Sequence, residues 1–208
     1  MKVIIFGATG RVGNQLVLQA LVKKHTVTAF LRKADDLPFA SENLVKLEGN
    51  VLDEETVMHA VAGHDAVLVS LGDFKPDEEV TLMSEGAKNI LWAMKQNGIK
   101  RIIGVGNSGI LQHDEIELRK NQEDFPSYLQ HVAEDHLRVF MRFQKSELDW
   151  TIVCPNNIPD GGATGVYRIR KNYPPKHGIG IRTGDVAHFM LRELEEKKFF
   201  HTRVGIAY

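Results

Sequence analysis

Residues 1–14 constrain the fold of this chain more than any other stretch. Val3-Ile4-Ile5-Phe6 is a continuous apolar run. It is too short to cross a membrane and lacks the alternation of a strand with one wet face. It therefore predicts a central strand of a parallel sheet, buried on both faces. Gly7-Ala8-Thr9-Gly10-Arg11-Val12-Gly13 follows, and then an amphipathic helix begins. A strand that turns through glycines into a helix brings the first backbone N–H groups of that helix around a diphosphate. The helix dipole favours the negative charge there. Gly7 makes the turn, Gly10 lets the backbone approach the phosphates, and Gly13 lets helix and strand pack closely. The spacing is G-x-x-G-x-x-G rather than G-x-G-x-x-G. Thr9 and Val12, inside the loop, are assigned to the same ligand.

Beyond the loop, short apolar runs alternate with helical patterns. The first helix is expected over residues 11–24, with Leu16, Val17, Ala20 and Leu21 buried. Strands are expected at 27–31, 44–47, 66–69, 101–105 and 150–153. Helices are expected at 53–61 (capped by Asp53), 79–97 (closed by Gly98), 129–145 and 184–196 (capped by Thr183). Val166 to Arg170 alternates as an edge strand would, and a short last strand is expected near Val204-Ile206. This order predicts one α/β domain, residues 1–208, with a Rossmann-like doubly wound parallel sheet. Residues 110–128 are too long and irregular for a simple connection and, with residues 158–182, are read as a small substrate-side lid.

Ligands of such sheets lie beyond the C-terminal strand ends. The residues at those ends are the site candidates. They are the glycine loop, Arg32, Asn50 with Val51, Ser70-Leu71-Gly72, Asn107-Ser108 and Cys154-Pro155-Asn156-Asn157. The end of the second strand faces the adenosine ribose. A carboxylate there would bond a 2′-hydroxyl, whereas basic residues accommodate a 2′-phosphate. Arg32 and Lys33 stand there, and the loop adds Arg11. Guanidinium forks suit phosphate oxygens, so NADPH is expected over NADH, which would bind more weakly. Asp35 and Asp36, close by, act against that preference.

Other chemistries are poorly supported. The formal net charge is -1, which gives no reason to expect nucleic acid or an acidic membrane as partner. No apolar run approaches the ~18 residues of a membrane span, and the run after Lys2 breaks at Gly7 before it could serve as a signal peptide. One cysteine, Cys154, rules out an internal disulfide and fits a cytoplasmic setting. It reads as buried and structural. Nine histidines are scattered without metal-ligand spacing, so no metal is expected, and most of them read as surface or cap residues. Gly106-Asn107-Ser108-Gly109-Ile110 fails G-x-S-x-G at its last position. Tyr167 and Lys171 spell Y-x-x-x-K but fall in an alternating segment, where four residues span ~13 Å. Where that pair belongs, Tyr128 is followed four residues later by Val132. No tyrosine–lysine acid–base pair is available.

With these residues in place, the chain resembles the biliverdin-IXβ reductase, or NADPH flavin reductase, family. These are atypical short-chain dehydrogenases related to NmrA-like proteins. The resemblance covers nearly the whole length. It is most specific at Ile5-Phe6-Gly7-Ala8-Thr9-Gly10, at Met83-Ser84-Glu85-Gly86-Ala87-Lys88-Asn89-Ile90 and at Asp135-His136-Leu137-Arg138. Val61 to Val67 and His188 to Arg192 add to it. The resemblance implies a monomeric domain binding NADPH in extended form. It implies hydride transfer to a flat acceptor, a flavin or a biliverdin-like tetrapyrrole. The glycine loop, Arg32 and Ser70-Leu71-Gly72 match the family's cofactor contacts, and Asn50 stands where the family has an aspartate. The family's serine beside the nicotinamide aligns with Asn107, with Ser108 one residue on. Its later histidine aligns with Asn157. An acceptor-pocket aromatic becomes Gly109, with Leu111 nearby, and a basic residue becomes Tyr128. The implied catalytic set is thus Asn107, Ser108 and Asn157. The family lacks the tyrosine–lysine pair, as this chain does. A second reading is a non-catalytic, NADP(H)-sensing regulatory protein. A sugar-nucleotide epimerase is disfavoured by the missing tyrosine and the lack of a second substrate domain.

Overall fold

In the computed structural model, which describes residues 1–208, the first apolar run is β1 (Lys2–Phe6), followed by α1 (Arg11–Val22) and β2 (Thr26–Leu31). Then come β3 (Leu44–Glu48), α2 (Glu54–Val61), β4 (Ala66–Val69), α3 (Leu82–Gln96) and β5 (Arg101–Val105). The chain closes with α4 (Gln130–Lys145), β6 (Asp149–Pro155), β7 (Arg168–Lys171), α5 (Thr183–Glu196) and β8 (Thr202–Ala207). The strands form one sheet in the order β3-β2-β1-β4-β5-β6-β8-β7, parallel throughout except β7, which runs antiparallel to β8. β1 lies between β2 and β4 and is buried from Val3 to Phe6, as its unbroken hydrophobicity requires. α1 and α5 cover one face, and α2, α3 and α4 cover the other, each over its own apolar core.

The sequence expectation of a doubly wound α/β sheet is met, with element ends shifted by one to three residues. One end differs for a clear reason. Thr183 does not cap α5 from outside; it is the first helical residue, and its hydroxyl donates to Gly161 O at 3.2 Å instead. Asp185, fully buried, accepts from the amides of Thr164 and Gly165, both at 2.8 Å, and so ties the preceding loop to the helix start. α3 is likewise not capped by its own flank. Asp135 of α4, also fully buried, accepts from the amides of Met83 at 2.9 Å and Ser84 at 3.3 Å.

Residues 106–129 form successive 3-10 turns and a single bridge between Gln112 and Leu118. Arg203 of β8 holds this segment from below. Its guanidinium is buried, donates to Ile110 O and to Gln112 Oε1, and lies 4.2 Å from the centre of the Phe140 ring.

Candidate cofactor and acceptor site

The C-terminal ends of β1, β4, β5 and β6 open on a cleft of about 530 Å3. One wall is the glycine loop. Gly7 has φ +78°, and a Cβ on it would come within 2.5 Å of Ser70 O. At Gly13 a Cβ would stand 1.9 Å from Gly7 O, so only glycine lets α1 seat this closely on β1. The first amides of a helix lack intrahelical acceptors. In α2 and α3 carboxylates of Asp53 and Asp135 satisfy them. In α1 the cap is Gly10, with no side-chain cap and no acid in the first turn. Those amides face the cleft with the positive end of the dipole behind them. The cradle and the uncapped amides fit a nucleotide diphosphate.

The sequence-derived residues separate into several groups. Gly10, Arg11, Val12, Ser70, Leu71, Gly72, Asn107, Tyr128, Pro155, Asn156 and Asn157 line the cleft together. Ser70 also donates to Gly7 O at 3.2 Å, which fixes the loop against β4. Asn107 turns its Oδ1 inward to the Gly109 amide at 2.6 Å, starting the next 3-10 turn. Ser108 is buried and donates to Asn156 Oδ1 at 3.3 Å, tying the β5 and β6 ends together. Arg11 reaches across the cleft to Ile158 O at 2.7 Å and Asp160 at 3.4 Å, on the β6 side. Arg32 remains exposed at the end of β2, and Thr9 and Asn50 are exposed as well. Val51 is buried under α3, where its carbonyl accepts from Asn89 at 3.0 Å.

Three candidates stand elsewhere. Leu111 is fully buried in the core, because the turn over residues 108–110 carries it under the sheet end. Gly109 is buried; a Cβ there would meet Phe125 at 2.8 Å and Ala133 at 3.0 Å. Cys154 is buried, and burial pushes its thiol well above its ordinary pKa. It touches a second chamber of about 400 Å3, lined also by Ser108 and sharing Pro126 and Asn156 with the main cleft. The Tyr167 hydroxyl is bonded to His188 Nδ1 at 2.9 Å against α5, away from the cleft.

His136 is a cleft residue that the sequence reading placed among surface or cap histidines. It is only 8% exposed and lines the cleft with Leu129 and Val132. Burial lowers its pKa to about 4, so the imidazole is neutral at pH 7. The spacing Leu129, Val132, His136 is one helix face, a signal that was present in the sequence. Tyr128 also lines the cleft and meets Phe74 edge to face at 6.4 Å, both rings more than half exposed.

A family described as NAD(P)H-binding matches residues 7–197. The chain belongs to it. The match spans both the glycine cradle and the β6 end, the two sides of the cleft. Among relatives, the uncharacterised sugar epimerase YhfK of Bacillus subtilis is 29% identical over 213 residues, covering 95% of this chain and 89% of its own. Two solved structures share the fold. One is given as an NADH-flavin reductase from Streptococcus pneumoniae, with TM-score 0.85, 24% identity and coverage of 100% and 99% of the two chains. The other is the anaerobilin reductase ChuY of Escherichia coli O157:H7, with TM-score 0.83, 21% identity and coverage of 100% and 97%. No helix of this NAD(P)H-binding chain is long and apolar enough to cross a membrane.

Proposed function

We propose that this protein is an NADPH-dependent reductase that transfers hydride to a flat acceptor, a flavin or a biliverdin-like tetrapyrrole. The observation that carries the reading is the chemistry of the cleft. It has an open apolar and aromatic wall, hydrogen-bonding amides, and no tyrosine–lysine pair. Epimerases and dehydratases of this fold class need an acid–base group at the reacting carbon. A planar conjugated acceptor needs stacking and orientation, and can take its proton from water. The activities named for the two solved structures, a flavin reductase and an anaerobilin reductase, belong to that acceptor class.

The roles follow from position. The α1 amides hold the diphosphate, and Arg32 at the β2 end takes the 2′-phosphate. Asn107, Asn156 and Asn157 present amide groups to the nicotinamide side, and Ser108 holds Asn156 from behind. Leu129, Val132 and Tyr128 give the acceptor an apolar bed that excludes water from one face. His136 stays neutral there, so it can donate or accept a hydrogen bond but delivers no proton as an imidazolium. When bound, NADPH supplies the hydride, and the protein supplies binding and orientation. We place it as a monomer in the cytoplasm, consistent with its single, buried cysteine.

The test is loss of reduced-nicotinamide absorbance with FMN, FAD, riboflavin or biliverdin offered in turn, and NADH as control. Oxidation above the protein-free rate with at least one acceptor is the expected result. Tight NADPH binding with no acceptor reduced would overturn the reductase reading in favour of NADP(H) sensing.

A further inference from the structure

A groove of about 440 Å3 runs between the C-terminal halves of α3 and α4. It opens where β5 and β6 begin, at the end of the sheet opposite the cofactor cleft. β5 has five residues, which puts the two openings about 17 Å apart. The floor is apolar, made by Leu91, Ile99 and Leu148. Trp92 lies in the groove 40% exposed and pairs with no other ring. A large exposed aromatic beside apolar surface is costly in water unless something covers it.

The rim is cationic. Lys88 and Lys95 stand two turns apart on α3, Arg142 and Lys145 on α4, and Lys100 just before β5; Glu147 is the one acid. Only Arg142 among these cations has an ion pair, with Glu85 at 2.7 Å, and its Nε is buried without a partner. The lysine ion pairs of the molecule are made elsewhere, by Lys23, Lys75, Lys120 and Lys198. In a chain of formal net charge -1 this is a local excess. Lysines in the last helical turn offset the terminal carbonyls, which accounts for Lys95 and Lys145. It does not account for Lys88 in mid-helix, for Lys100 outside the helices, or for the aromatic between them.

We infer that this groove binds a small amphipathic anion, with its hydrocarbon or aromatic body on Trp92 and the apolar floor and its carboxylate or phosphate held by the lysine rim. The volume is that of small-molecule sites, and the pairing of apolar floor with charged rim selects for both halves of such a ligand. The body gains from area removed from water, and the lysines at the edge discriminate by charge. The inference is independent of the proposed reductase activity, since no residue is shared with the cleft.

The test uses the full chain with sodium decanoate and decyl phosphate as probes, and decanol and decyltrimethylammonium as uncharged and cationic controls. Binding is read by tryptophan fluorescence and by calorimetry. Trp150 is buried, so a fluorescence change reports Trp92. The expected result is saturable binding of both anions, about tenfold tighter than decanol. Lys95→Glu/Lys145→Glu should weaken the anions by about tenfold and leave decanol unchanged. Trp92→Phe should abolish the optical signal and leave calorimetric binding of the anions in place. Equal affinity for anion, alcohol and ammonium, or no effect of the double reversal, would overturn the inference. So would the absence of saturable heat with the folded wild-type chain.

Discussion

His136 shows what burial does to a titratable side chain beside a binding cleft. Its folded pKa of about 4 lies below the value of 6.5 it would have in the open chain. Between those values the unfolded state binds the extra proton, so stability is complete above about pH 6.5 and falls as pH drops toward 4. His25 and His64 shift the same way, chiefly by burial. From His136 alone, urea unfolding at about pH 5 should report roughly 2 kcal/mol less stability than at about pH 7. His136→Asn should flatten that slope; an unchanged slope would mean the imidazole is solvated. At the exposed end of β2, Arg32→Glu should weaken NADPH binding at least about tenfold more than NADH binding, because it puts a carboxylate against a phosphate. Equal losses in titrations of both nucleotides would sink the 2′-phosphate role. Tyr167→Phe should leave turnover unchanged, since the hydroxyl serves only its bond to His188.

At the scale of elements, α3 depends on a residue that is not its own. Asp135 satisfies two of its first amides, and Arg138 holds Asp135 at 3.2 Å while donating to Val80 O. Asp135→Ala should cost on the order of 2–3 kcal/mol in thermal or urea unfolding, by leaving buried N–H groups unpaired. NADPH affinity of the folded fraction should be retained. This cap explains what Met83, Ser84 and Asp135 do within the stretches that carried the family resemblance: they hold two helices together, while His136 beside them lines the cleft. The parallel strands and their order were legible because continuous apolar runs and glycine-closed turns leave few alternatives. The glycine cradle was legible for the same reason. The far wall of the cleft was not. The family resemblance placed Gly109, with Leu111 nearby, in the pocket, but a 3-10 turn, which no periodicity announces, rotated both inward. His136 was hidden because the helix over residues 129–145 was given no inward face, and its histidines were read as scattered surface or cap residues.

For the molecule as a whole, one buried ion pair joins sheet to helix. Arg101 on β5 meets Glu193 on α5 at 2.7 Å, and Glu193 also accepts from the amides of Lys198 at 3.0 Å and Phe199 at 2.9 Å. Burial lowers the pKa of Arg101, and Glu193 opposes that shift. Glu193→Ala would leave a buried guanidinium uncompensated and should cost roughly 3–5 kcal/mol, read as a lower unfolding midpoint. A loss under about 1 kcal/mol would show that water reaches the arginine.

The strand order has a consequence for how the molecule breathes. β1, β4 and β5 each have a neighbour on both sides, whereas β3 and β7 close the two edges with one each. Edge amides open by fraying, and inner ones only when their neighbours leave. In deuterated solvent the backbone hydrogens of β7 and β3 should therefore be replaced first and those of β1 and β4 last. The phosphate-binding loop, which springs directly from β1, is thus mounted on the part of the molecule that opens most rarely.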